Sequence, residues 1–148
     1  MFYDEFDYIK GEVVDLKIVE KREEDREKGF CPMYIWHIIK DNQVVGEILF
    51  RFGFNENIYY GGNIGITVFE EYRGNRYAGF ASKMVLKVVK KHNMKEIYIT
   101  CNPDNIASKK TIETSPNCQF IEKALLPKHN DQYKKGMREK LIYKLVIE

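Results

Sequence analysis

The stretch Ile64-Gly65-Ile66-Thr67-Val68, followed by Glu70-Glu71-Tyr72-Arg73-Gly74-Asn75-Arg76-Tyr77 and a helical pattern from Ala78, decides the fold. A second apolar strand, Glu96 to Cys101, and the segment Pro103-Asp104-Asn105-Ile106-Ala107-Ser108 complete it. Strand, turn, helix and strand in that order make a βαβ unit whose turn can hold an anion. The first turn of a helix leaves backbone N–H groups without partners and carries the positive end of the helix dipole, which suits phosphate oxygens. Gly74 allows close backbone approach, and Arg73 and Arg76 add charge. Turns of this composition also cap helices that bind nothing, so the order of the flanking segments carries the reading.

On these residues the sequence resembles the GNAT superfamily of acetyl-CoA-dependent acyltransferases, whose signature is Arg/Gln-x-x-Gly-x-Gly/Ala after a strand. Arg73-Gly74-Asn75-Arg76-Tyr77-Ala78 matches its first and last positions, with Arg76 where a Gly is usual. Asn105 to Ser108 falls where the superfamily places an Asn that contacts the pantetheine arm. The resemblance runs from about Gly61 to Glu113. It implies an α/β domain with a mixed central sheet of about six to seven strands, and acetyl-CoA as co-substrate. It also implies that the strand Ile64 to Val68 bends away from the parallel strand after it, opening a gap in which Ile66, Thr67 and Val68 offer main-chain contacts to pantetheine and an N–H near Val68 polarises the thioester carbonyl. Arg73, Gly74, Asn75, Arg76, Tyr77, Ala78, Asn105 and Ser108 are the remaining cofactor candidates. For Asn105 the competing reading is a plain helix cap.

At 148 residues the chain fits one domain with its own core. Its 24 basic and 22 acidic residues are interleaved, so no overall field favours nucleic acid or an anionic membrane. Cys31, Cys101 and Cys118, like His37, His92 and His129, lack metal-ligand spacing, so no metal is expected and the thiols read as reduced. Met1 to Lys10 is acidic and aromatic, unlike a secretory signal, and no apolar run reaches membrane-span length. The cytoplasm is the expected compartment.

Glu12 to Val19 reads as the first strand and Glu20 to Gly29 as a solvated charged loop or a short exposed helix. Met33–Ile39 and Val44–Phe52 form a hairpin around Lys40-Asp41-Asn42-Gln43. Period-two alternation places Val44, Gly46, Ile48, Phe50 and Phe52 on one face, and Val45, Glu47, Leu49 and Arg51 on the other. Tyr59-Tyr60-Gly61-Gly62 signals a bulge or tight bend, its tyrosines lining a pocket or simply belonging to the sheet. The helix runs from Ala78 to His92 with Ala81, Val85, Val88 and Val89 on its apolar face, and Asn93 is its left-handed terminator. Gln119–Leu126 and Lys140–Ile147 are final strands joined by the polar loop 128–138.

The reaction so implied moves acetyl to an amine, which must first lose a proton because a lysine-like ammonium has a pKa of about 10.4. Glu47 is the candidate base, against the alternative that it pairs with Arg51. The family's Tyr seven residues after the Asn is Ile112 here, so Tyr143 is the candidate acid, against a core role beside Leu141 and Leu145. Residues 20–32 are too short to supply the two helices that usually close the acceptor site, which leaves an open cleft or a dimer partner over that face. The rival function is a non-catalytic acyl-CoA-binding or sensing module.

Overall fold

Strand formation begins in the aromatic N-terminus. The computed structural model describes residues 1–148, and in it Asp4–Phe6 forms a 3-10 turn before the two-residue strand β1 (Tyr8–Ile9). β2 (Asp15–Arg22) pairs with β1 and continues three residues past the expected end, into the charged run. It can do so because the charges alternate in partners: Lys21 binds Asp4 and Asp7, and Arg22 binds Glu20. Residues 23–32 contain no helix, only a turn closed by the Asp25–Phe30 bridge.

β3 (Met33–Lys40) and β4 (Gln43–Arg51) form the expected hairpin, with Asp41 and Asn42 both at positive φ in the turn. The expected alternation fails at one point. A register shift between Ile38 and Ile39 pairs them with Gly46 and Val44, so Val45 is an extra, bulged residue. Val45 is therefore buried and Val44 exposed, the reverse of a strict period of two.

The bend expected at residues 55–62 is a short helix, α1 (Glu56–Gly61), whose first turn is capped by Asn55 accepting from the Ile58 N–H. Gly62, at φ 83°, turns the chain out of it into β5 (Ile64–Val68). After a 3-10 turn at Glu70–Tyr72 come α2 (Tyr77–Lys91) and β6 (Glu96–Cys101), with Asn93 left-handed between them. α3 (Ile106–Glu113), β7 (Cys118–Leu125), α4 (Asp131–Lys134) and β8 (Glu139–Val146) follow. α4 lies inside the expected polar loop, capped by Asn130.

The expected single mixed sheet is two antiparallel ones. The first has the order β1-β2-β3-β4-β5, the second β6-β8-β7. β5 and β6, expected to run parallel with the first bending away from the second, belong to different sheets. The core lies between the first sheet and α2: Leu16, Tyr34, Trp36, Ile38, Ile48 and Phe50 meet Ala81, Val85, Val88 and Val89. Ile97 of β6 joins the same cluster, which ties the second sheet to the first. Each large apolar side chain so buried contributes about 1.5–3 kcal/mol. The opposite face of the first sheet, here called the outer face, carries Lys17, His37, Glu47, Leu49 and Arg51. No helix of the chain is long and apolar enough to cross a membrane.

Candidate active site

A wedge-shaped gap opens between β5 and β6. Its closed end is Asn63, buried to 1 % exposure. The Asn63 N–H donates to the Tyr98 carbonyl at 2.8 Å, and its side-chain oxygen accepts from the Tyr98 N–H at 2.7 Å. The Asn63 amide also donates to the carbonyls of Arg51 and Gly53, and the Asn63 carbonyl accepts from the Arg51 N–H. One residue thus joins β4, β5 and β6. A side chain at Gly62 would come within 3.3 Å of the Tyr98 oxygen, so glycine is needed beside the junction for closeness as well as for φ.

Beyond this junction each strand presents unpaired backbone to the other. In an antiparallel pair, hydrogen-bonded residues alternate with residues whose N–H and C=O point away. Arg51 bonds Asn63 and Phe69 bonds Val45, so Gly65 and Thr67 face β4 while Ile66 and Val68 face the gap. On the other side Ile147 bonds Lys95, which turns Tyr98 and Thr100 away from β8 and toward the gap. Of the three main-chain candidates Ile66 and Val68 are so placed, and Thr67 is occupied in the sheet. Arg73 donates from Nε to the Val68 carbonyl at 3.0 Å, leaving the Val68 N–H open and its own terminal nitrogens without a protein partner.

At the mouth of the gap, Gly74 has φ 91° and space around its α-carbon, while Asn75 donates to the Tyr72 carbonyl. Arg76, left-handed and exposed, precedes α2. No side chain caps this helix and no acidic residue occupies its first turn, so the N–H groups of Tyr77, Ala78 and Gly79 stay available.

Asn105 caps α3: its side-chain oxygen accepts from the Ser108 N–H at 3.1 Å. The amide nitrogen of the same exposed residue has no protein partner, so cap and ligand donor are compatible roles. Tyr143 lies beneath α3 with Cys101, Leu141 and Ile112, its hydroxyl 3.5 Å from Glu113. Burial first, then the Glu113 carboxylate, pushes its phenol up to about 12. Tyr143 and Glu47 are not brought together: Glu47 lies on the outer face, opposite His37 and Thr67. Glu47 makes no ion pair with Arg51. Toward the β1–β2 end of that face is a cavity of about 450 Å³ lined by Tyr8, Val19, His37, Ile39 and Val44. Tyr59 packs against Tyr60 and Tyr98 and donates to Glu122, which raises its phenol to about 12. No group of three or more His, Cys, Asp or Glu is gathered for a metal.

Two contributors escape sequence reasoning: Asn63, whose only signal is its place after Gly61-Gly62, and the main chain of Thr100. The fold is similar to that of RimL, a ribosomal L7/L12 α-N-protein acetyltransferase solved with coenzyme A, at TM-score 0.67 and 11% identity over 95% of this chain and 98% of that one. It is also similar to the microcin C7 self-immunity acetyltransferase MccE, solved with acetyl-CoA and AMP (TM-score 0.60, 18% identity, 78% of this chain and 61% of that one). A GNAT-family acetyltransferase from Bacillus anthracis superposes with TM-score 0.57 at 23% identity, covering 77% and 65%. No curated protein matches the sequence. The acetyltransferase (GNAT) domain family matches residues 8–115, and with most of the chain inside that match the protein belongs to the GNAT acetyltransferases.

Proposed function

We propose that the GNAT reaction, transfer of acetyl from acetyl-CoA to an amine, runs in the gap between β5 and β6, with the acceptor arriving over the outer face. The observation that carries this reading is the pair of facing strand edges, Ile66 and Val68 against Thr100, that diverge from the Asn63–Tyr98 junction. Pantetheine amides pair with those edges, and the pyrophosphate rests on the first turn of α2, helped by Arg76. Asn105 donates to the arm from its free amide nitrogen.

In the reaction the acceptor nitrogen attacks the thioester carbonyl, and the Val68 N–H stabilises the oxyanion that forms. The C–S bond then breaks and the thiolate leaves. Glu47 takes the acceptor's proton, directly or through water, and Tyr143 returns one to sulfur. Its raised pKa keeps Tyr143 protonated at neutral pH but makes it a weaker acid than an ordinary phenol, so its contribution to rate is at the low end for general acid catalysis. Residues 23–32 leave the outer face without the helices that would close it, so the acceptor site is open to bulky amines. The same face is where a second copy would sit. A cytoplasmic setting and a single-domain organisation belong to the same proposal, the former supported by three unpaired cysteines.

The test is thermal unfolding with and without millimolar acetyl-CoA, followed by free-thiol release with a panel of amines. A ligand that binds only the folded state raises the melting temperature. No shift overturns the cofactor site; a shift without thiol release for any amine assigns the chain to cofactor binding without turnover.

A further inference from the structure

Arg51 is the charged side chain nearest the closed end of the gap. It lies on the outer face, opposite to Phe50 and Phe52, which stack in the aromatic cluster around Tyr34 and His92. Its backbone is held on both sides, N–H to the Asn63 carbonyl and C=O from the Asn63 amide. Its Nη1 donates to the Gly62 carbonyl at 3.2 Å, which fixes the guanidinium within one residue of the junction. That weak bond is its only one. Arg22 binds Glu20 and Arg26 binds Glu24, whereas Arg51, like the exposed Arg73, Arg76 and Arg138, has no carboxylate within 4.0 Å, and it alone of these is drawn in against the junction. Burial draws its pKa below the ordinary value, against an opposing pull from the Cys31 thiol and with a smaller push from Arg22 on the same face. A half-buried guanidinium with free donors and a second cation beside it is unfavourable unless an anion joins it.

From these contacts we infer that Arg51 is the anchor for an anionic group, a carboxylate or phosphate, on the acceptor, so that the acceptor is an amine carrying negative charge at a set distance. The inference rests on the acyltransferase reading above. Glu47 and Arg51 are four residues apart on one face of β4, a separation of about 14 Å at about 3.4 Å per residue. An acceptor with its amine near Glu47 and its anion on Arg51 spans somewhat less than that, since both side chains lean inward. An extended chain advances about 3.3–3.6 Å per residue, so three or four residues bridge the two groups.

Glycine oligomers of increasing length, each as the free acid and as the C-terminal amide, test this with the whole chain and acetyl-CoA. Expected is a kcat/KM preference for the acid of about tenfold or more, the size of one charge-assisted hydrogen bond, peaking at three or four residues. Arg51→Met removes the preference, Arg51→Lys restores part of it, and the acetyl-CoA melting shift stays in both, because the cofactor strands are untouched. Equal rates for acid and amide at every length overturn the inference, as does a preference that survives Arg51→Met. Failure of every oligomer to react, with the acetyl-CoA shift intact, also overturns it. Loss of the shift in the unmodified protein instead overturns the underlying cofactor site.

Discussion

Asn63 shows how much one amide can hold. Its side chain satisfies one N–H and two carbonyls from three separate strands and loops, each of which is orphaned when it is removed. Asn63→Ala is expected to cost about 2–4 kcal/mol in urea unfolding, since a buried unsatisfied group costs about 1–3 kcal/mol. Asn63→Asp is expected to be worse at neutral pH, because a carboxylate cannot donate to the Arg51 and Gly53 carbonyls, and to recover in acid. His92 supplies the pH dependence at this scale. Its Nε2 is hydrogen-bonded at 2.9 Å to the Tyr34 hydroxyl, which itself accepts from the Tyr3 N–H, and its ring stacks on Phe52. Burial, then the N-terminal charge, lowers its pKa below 6.5, so the folded state binds fewer protons there than the unfolded state. Its stabilisation is complete above 6.5 and declines as pH falls below that value. A melting temperature that drops from about pH 7 to 5, with a flatter slope in His92→Phe, is the expected result.

Among the elements, the turn before α2 was legible from Gly74 and the helix period after it, and its conformation matches that reading. Gly74 sits at φ 91° with nothing within 4 Å of an added Cβ, so Gly74→Val strains one residue without a clash. Calorimetry should find the apo fold close to intact and the acetyl-CoA shift abolished; a full shift would move the phosphate site elsewhere. β4 taught the opposite lesson. Alternation predicted its faces correctly from Gly46 onward, while the bulge at Val45 depends on pairing with Ile38 and Ile39, which local pattern does not encode. α3 keeps Ile112 where a tyrosine is usual and sets it beside Tyr143. If Tyr143 protonates the leaving thiolate, Tyr143→Phe lowers turnover roughly tenfold or more with cofactor affinity unchanged. Unchanged turnover leaves Tyr143 as a buried phenol paired with Glu113.

Across the whole molecule, the order of strands and helix was written in the sequence, because hydrophobic period and turn chemistry are local properties. The sequence alone therefore determined the order of strand, helix and strand, the glycine turn before α2, the apolar face of α2 and a segment between β2 and β3 too short for two helices. It did not determine that β5 and β6 part after a single junction. That outcome is set by long-range contacts: Asn63 reaches Tyr98 across 35 positions, and Ile97 is drawn into the core of the other sheet. Nor could it show that Arg51 would be left without an acid, since Glu47 is four residues along on the same face and a pairing between them looked natural. Only the tertiary structure, by anchoring the guanidinium on Gly62 and the backbone of Arg51 on Asn63, separated the two charges and left one of them free at the end of the gap. Local chemistry specifies which elements form; the competition among distant partners for each polar group decides where they stop pairing, and the proposed site lies there.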